Sequence, residues 1–468
     1  MILALITPFI FLIALSVSLG SIYSETYYAA LLKQYDRLNS VEGERVVLIG
    51  NSNVSFGADS ELFQELYGKP LVSFGLYGSL GTKLMLDLSK SGIKRGDTVV
   101  LALEFNEDAY SLDFHSETVL KALETRPSLL FRTDFDNYED ILGGVFGFVA
   151  TKFSFAAEGV APTNEGVYKN SSINSYGEIE KGLRPGNILR EGCLAEIVMT
   201  DPEDIEDGFI DYLNEYIDYC KIRGITVLYS FSPVNGKAVE EQGVSKDDLY
   251  DFYDYLCEAL HCPVISDPNV YTLDYRYFYD TNFHLNDAGA VVRTINLVRD
   301  LKLFDGDNLP ITAEFPAPPE PVVPVVEIDK TLDYTDSELF EYKESAEGYL
   351  TIIGTKDGAE TLTDIIVPVI HDGKYVIKIG SYALENLTEA RSITIPVGIS
   401  ELSSFAFAGC NHLSEIILLE DSGNDLSVYY DTFSGINQSC KIVLRNAEKA
   451  SFLTGYFWPQ VKLEIVEG

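Results

Sequence analysis

Basic residues are scarce in this chain: 34 Lys plus Arg stand against 72 Asp plus Glu over 468 residues, a formal net charge of −38. A surface of that sign repels nucleic acid and anionic lipid headgroups, so DNA and RNA are excluded as partners. Cysteine is scarce too. Cys193, Cys220, Cys257, Cys262, Cys410 and Cys440 show no metal-ligand spacing, and only Cys257 and Cys262 flank one turn closely enough to pair. Free buried thiols are the expected state. Without a cluster of His, Cys and carboxylate, no metal and no cofactor are expected. Of the five histidines, His115, His261, His371 and His412 read as surface or packing residues, which leaves His284 in a motif.

Residues 1–24 carry no charge, and Ile2 to Leu19 is apolar apart from Thr7, Pro8, Ser16 and Ser18. That length crosses a bilayer as one helix, while Ser18-Leu-Gly20 offers the small residues of a cleavage site. Anchor and cleaved signal peptide both stay open, and each puts the bulk of the chain outside the cytoplasm. The lack of Lys or Arg before the run leaves orientation to the α-amino group. Ala29 to Leu38 reads as an amphipathic helix, making 25–44 a stalk.

What is present begins with Arg45-Val-Val-Leu-Ile49 followed by Gly50-Asn51-Ser52. A β-branched run ending in Gly-x-Ser reads as a buried strand whose turn lifts a serine out at the sheet's C-terminal edge. A serine there needs a neutral imidazole to take its proton. Asp280-Thr-Asn-Phe-His284-Leu-Asn286 supplies one near the far end of the same domain. Between them, Leu71 to Gly81 and Val99 to Asn106 end two further apolar runs. Acyl transfer needs donors aimed at an oxyanion, and a glycine N–H plus an asparagine amide can provide them.

Strand ends delivering Ser, Gly, Asn and finally His resemble the four sequence blocks of the SGNH (GDSL-type) hydrolase superfamily, over about Val41 to Leu303. The resemblance implies a three-layer α/β fold with a parallel, flavodoxin-like sheet, Ser52 as nucleophile and His284 as base. Ser52 N–H, Gly78 N–H and the Asn106 side chain would form the oxyanion hole. Two departures matter. Gly-Asp-Ser-Leu is Gly-Asn-Ser-Asn53 here, and the acid of Asp-x-x-His would fall at Thr281. Asp280 or Asn282 must then orient His284, or the site is degenerate and non-catalytic. Such loose motifs look similar to SGNH-like proteins that handle acyl groups on bacterial surface polymers, in alginate acetylation and teichoic-acid D-alanylation.

The α/β pattern continues with a helix over Ile205 to Ile222, a fourth strand over Gly224 to Ser230, a helix over Tyr250 to Leu260 and a short fifth strand over Cys262 to Ser266. Phe231 to Asn235 falls at the nucleophile's sheet edge. A final helix, Asp287 to Leu301, takes Asn286 or Asp287 as its N-cap. The stretch 110–204 is an insertion with weak periodicity, read as a lid over the site or as a structural excursion.

Pro310 to Pro324 holds six prolines in fifteen residues, an extended spacer within a linker at 306–330. Beyond it, Val376 to Leu384 and Glu401 to Cys410 repeat each other at a 23-residue offset, with a worn copy at Val428 to Gly435. One short strand plus one turn per repeat cannot bury its apolar face alone, so copies must stack into a solenoid. Ala-Phe-Ala-Gly-Cys-x-x-Leu-x-x-Ile resembles the BspA-type leucine-rich repeat of bacterial surface proteins. That resemblance implies a module for host or cell-wall polymers, although so few copies also fit a spacer.

Expected, then, are an α/β domain at 45–305 and a β-solenoid-like repeat domain at 331–468. Together they would make a membrane-held extracytoplasmic serine esterase or O-acyltransferase acting on an O-acylated surface polysaccharide. The alternative is a non-catalytic surface adhesin on the same scaffold.

Overall fold

Four buried strands place the site: β1 (Val46–Gly50), β2 (Leu71–Phe74), β3 (Thr98–Ala102) and β4 (Thr226–Tyr229). They pair in parallel in the order β2–β1–β3–β4. Helices cover both faces, which is why these runs are continuously apolar rather than alternating. The structure is a computed structural model describing residues 19–134, 137–158, 162, 166–189, 191–307, 311–322, 328–345, 348–419, 426–428, 432–433, 435–437, 439–444 and 462–465. Most of the N-terminal run assigned to an anchor or signal peptide lies outside the described residues. The chain divides into two compact units, Met1–Val323 and Pro324–Gly468.

The helices of the first unit include α1 (Ala30–Ser40), α2 (Ser52–Gly57), α3 (Ser60–Tyr67), α4 (Thr82–Ser89), α5 (Ser116–Ala122), α6 (Tyr138–Glu158), α7 (Phe209–Ile222), α8 (Lys246–Ala259) and α9 (Asp287–Phe304), with shorter helices at Gly236–Glu241 and Pro268–Tyr271. α1 is no stalk. Ala30, Leu31, Gln34, Tyr35 and Leu38 are buried, and Gln34 Nε2 donates to Ser55 Oγ, Gly75 O and Gly177 O. An amphipathic pattern marks a face that packs, without saying on what. The expected fifth strand shrinks to a bridge between Val264 and Tyr229, because Pro263 has no N–H with which to extend a ladder.

Three helix starts are set by local chemistry. α7 begins at Phe209, after Gly208 at φ 86°, instead of at Ile205. α8 begins at Lys246, four residues before the expected Tyr250, because Ser245 and Asp248 form a reciprocal capping box. Asn286 caps α9 by accepting the Gly289 N–H at 3.0 Å.

The insertion 110–204 is woven into the unit. Glu178 accepts from Ser60 and Ser73, and Arg184 donates to Phe56 O and Leu285 O. α6 lies close on α5, where a Cβ on Gly144 would stand 2.5 Å from Ser116 Cβ. Residues 311–322, expected as a free spacer, also lie on this unit. Val322 N–H donates to Asn187 O at 2.7 Å, Tyr277 Oη donates to Pro316 O at 2.7 Å, and Arg299 sits over the Phe315 ring.

In the second unit, short parallel strands stack into two ladders. One runs through Leu350–Thr355, Lys374–Ile379 and Glu401–Leu402. The other runs through Asp364–Ile366, Ser392–Ile395, Glu415–Leu418, Lys441–Leu444 and Lys462–Ile465. Leu384, Phe407, Leu413 and Phe433 fill the space between them. Tyr382 and Phe405, 23 residues apart, both take φ 58° and stack their rings at 5.1 Å, so the sequence offset is the structural repeat.

Candidate active site

Ser52 is the first residue of α2, lifted there by a turn that only glycine permits. A Cβ on Gly50 would stand 2.2 Å from Ala102 O, and one on Gly75 would stand 2.6 Å from Gly50 O. Packing that tight drives the chain out of β1 at once and leaves Ser52 at the sheet's edge, with 8% of its surface exposed.

His284 reaches Ser52 from the loop before α9, and its Nε2 lies 2.7 Å from Ser52 Oγ. Its Nδ1 lies 2.8 Å from Asp280 Oδ1. A separation of four residues brings acid and imidazole together because Thr281 Oγ1 accepts the N–H groups of Phe283 and His284, at 3.1 and 2.9 Å. That side-chain turn folds 281–284 back on itself. Thr281, standing where the acid would be expected, therefore shapes the loop. Asn282 does not touch the imidazole. Its amide is committed to Leu194 N–H, Leu194 O and Glu196 O.

Two residues the sequence reading missed complete the support of the histidine. Tyr168, from the insertion, donates to Asp280 Oδ2 at 2.5 Å and stands 3.2 Å from His284 Nδ1. Burial and the Asp280 charge hold its hydroxyl well above the ordinary tyrosine range, so it stays a donor. Phe56, one turn beyond Ser52 on α2, stacks on the His284 ring at 3.9 Å and 6°. Nucleophile and ring clamp thus travel on one helix.

The oxyanion donors are arranged differently from expectation. Glu104, two residues past the end of β3, is 4% exposed. Its Oε1 accepts from Ser52 Oγ at 3.0 Å and from Asn53 N–H at 2.8 Å, and its Oε2 accepts from Asn106 Nδ2 at 3.0 Å. The backbone donor gathered here is that of Asn53, not Ser52. Gly78 opens a 3₁₀ turn at Gly78–Leu80, and no hydrogen bond among the described residues ties it to Ser52, His284 or Glu104. The signal for Glu104 lay in the register: Gly50 pairs with Ala102, so the residues two past each strand end, Ser52 and Glu104, arrive side by side.

The site's charge is strongly negative. Burial alone would lower the His284 pKa, but the charge and hydrogen bond of Asp280, with Glu104 and Glu196 behind them, raise it above the ordinary 6.5. Burial and Glu104 push the Glu196 carboxyl up to about 7. With Nε2 protonated, His284 donates to Ser52 Oγ and Ser52 donates onward to Glu104. With Nε2 neutral, the serine proton can turn to the imidazole, as nucleophilic attack requires.

Residues 359–457 match the BspA type Leucine rich repeat region, in 6 copies, where the sequence reading picked out three. The chain thus pairs a mixed α/β unit containing a parallel sheet with a C-terminal repeat region of that type. No curated protein matches the chain.

Proposed function

We propose that the α/β unit is an SGNH-like serine acyl-ester hydrolase or acyltransferase. It would be held at the outer face of the cell membrane and act on an O-acylated glycan or other surface polymer. The observation that carries this reading is the relay Ser52 Oγ–His284 Nε2 at 2.7 Å and His284 Nδ1–Asp280 Oδ1 at 2.8 Å. Ser52 Oγ attacks the acyl carbonyl carbon while its proton passes to His284 Nε2. The carbonyl oxygen, now an oxyanion, displaces the Glu104 carboxylate and takes the Asn53 N–H and Asn106 Nδ2–H. His284 returns the proton to the departing alkoxide, leaving acyl-Ser52. Water or an acceptor hydroxyl then attacks the acyl group, its proton going to His284 and on to Ser52 Oγ. The repeat region, similar to a family of surface-protein repeats, would hold the polymer or a host ligand.

The test is labelling by a fluorophosphonate probe together with hydrolysis of a short-chain ester. Wild type should label, and Ser52→Ala and His284→Ala should not. Equal labelling of wild type and variants, or none in any, would sink the mechanism. One observation favours a second reading, a non-catalytic surface adhesin: Glu104 already sits on the donors an oxyanion needs. Absence of Ser52-dependent labelling is what that reading expects.

A further inference from the structure

α6 buries Val145, Phe148 and Val149 with Tyr23 in a small core of their own, against which Ile22, Tyr28 and Leu120 pack. Among the described residues, its other side has no such cover. Leu142, Phe146, Ala150, Phe153 and Ala157 follow one another at steps of four, four, three and four, which places them on one helical face. Phe146 is 70% exposed and Phe153 56%, and Phe131, just before the helix, is 77% exposed. From Leu142 to Ala157 the only charged residue is Lys152, which is buried and paired with Glu124 at 2.6 Å. A bare face of that length is foreign to a chain with 23% charged residues and a net charge of −38. Contiguous exposed apolar surface marks an interaction site.

The chain itself indicates what covers it. The first described residues lead out of the apolar run Ile2 to Leu19 directly onto this helix. Glu124 accepts from Ser21 Oγ at 2.7 Å and from the N–H groups of Ile22 and Tyr23 at 3.0 Å, and the Tyr23 ring stacks on Phe148 at 5.9 Å. A residue spans at most ~3.6 Å of extended chain. If residues 2–19 lie in a bilayer, as the anchored reading above holds, Ser21 stands within about 10 Å of the same lipid, and Glu124 ties it to Lys152 on α6.

We infer that α6 is a membrane-seating helix: it lies in the headgroup plane with Leu142, Phe146, Ala150 and Phe153 in the acyl boundary. The face carries no cation, so its partner is the apolar and zwitterionic part of the bilayer rather than anionic headgroups, and binding through it is insensitive to salt.

The experiment uses the full chain in phosphatidylcholine vesicles, with a nitroxide at Ala150→Cys in a Cys257→Ser background, Cys257 being the exposed thiol. On vesicles the label should gain collisions with oxygen and lose those with an aqueous nickel complex. A label at the exposed Glu240→Cys should not change, and Phe146→Ser with Phe153→Ser should return the Ala150 label to water. A chain that binds vesicles while the Ala150 label stays aqueous overturns the inference and leaves the anchor standing. Dipolar broadening between labels on different chains overturns it in favour of a second copy. A chain that does not bind vesicles overturns both.

Discussion

Ser52 Oγ lies 3.0 Å from Glu104 Oε1, the same oxygen that accepts the Asn53 N–H. The nucleophile's hydroxyl is therefore contested between a base and a resting carboxylate that competes with the substrate's oxyanion. Glu104→Ala should raise the rate of Ser52-dependent labelling about tenfold, ~1.4 kcal/mol of barrier. Added acetate, a mobile replacement for the lost carboxylate, should slow the variant again and leave wild type unchanged. A fall in labelling instead would place Glu104 among the groups that support the serine.

The raised His284 pKa fixes the sign of two pH dependences. The base must be neutral, so kcat/KM should climb with pH through a midpoint above 6.5 rather than below it. The same shift contributes stability that is fully present below the unfolded value and is lost as pH rises through the folded one. Activity and this part of stability should move in opposite directions across that window. Asp280→Asn should move the midpoint down and cut turnover by orders of magnitude. Asn282→Ala should leave the midpoint alone and cost about 1–3 kcal/mol of stability, because it strips partners from the backbone at Leu194 and Glu196. A pH profile that moves with Asn282 and not with Asp280 would reverse these roles.

Tyr168→Phe separates packing from hydrogen bonding. The ring would still pack beside Phe56 and Tyr27, while the bond to Asp280 Oδ2 disappears. Loss of a charge-assisted bond of about 1.5–3 kcal/mol should appear as a roughly tenfold or larger fall in kcat. KM should barely change, and the pH midpoint should shift. An unaltered midpoint would make Tyr168 a packing residue only.

How much of this was readable from sequence depends on how local the cause is. The turn at Gly50 and the placement of Ser52 and His284 follow from neighbours within a few residues, and both could be read. Glu104 lies within the stretch Val99 to Asn106 but has meaning only through strand register. Tyr168 could not be found, since 116 residues separate it from His284 and no pattern near it names a partner. α6 escaped because Gly143, Gly144 and Gly147 argue against a helix, and only the close approach of α5 at Gly144 and Gly147 explains two of them. α1 is legible as an amphipathic helix, but the surface it packs on is not, because Gln34 meets Ser55, Gly75 and Gly177 only in the folded chain.

The proline-rich segment 311–322 sets where the α/β unit ends. Each unit has its own apolar core, one around Val47, Leu101 and Tyr229 and the other around Ile379, Phe407 and Ile416. A chain ending at Val323 should therefore keep its Ser52-dependent labelling. A chain ending at Asp305, the boundary expected from sequence, also loses the segment 311–322. It would give up the Val322–Asn187 and Tyr277–Pro316 hydrogen bonds, at about 1 kcal/mol each. The contact of Arg299 with Phe315 goes too, at about 0.5–1 kcal/mol. The net loss should be on the order of 1 kcal/mol, or about 1–2 °C in Tm for a unit of this size. Equal Tm for the two truncations would mean that the segment is a spacer after all. Loss of labelling in the chain ending at Val323 would mean that the repeats belong to the catalytic unit.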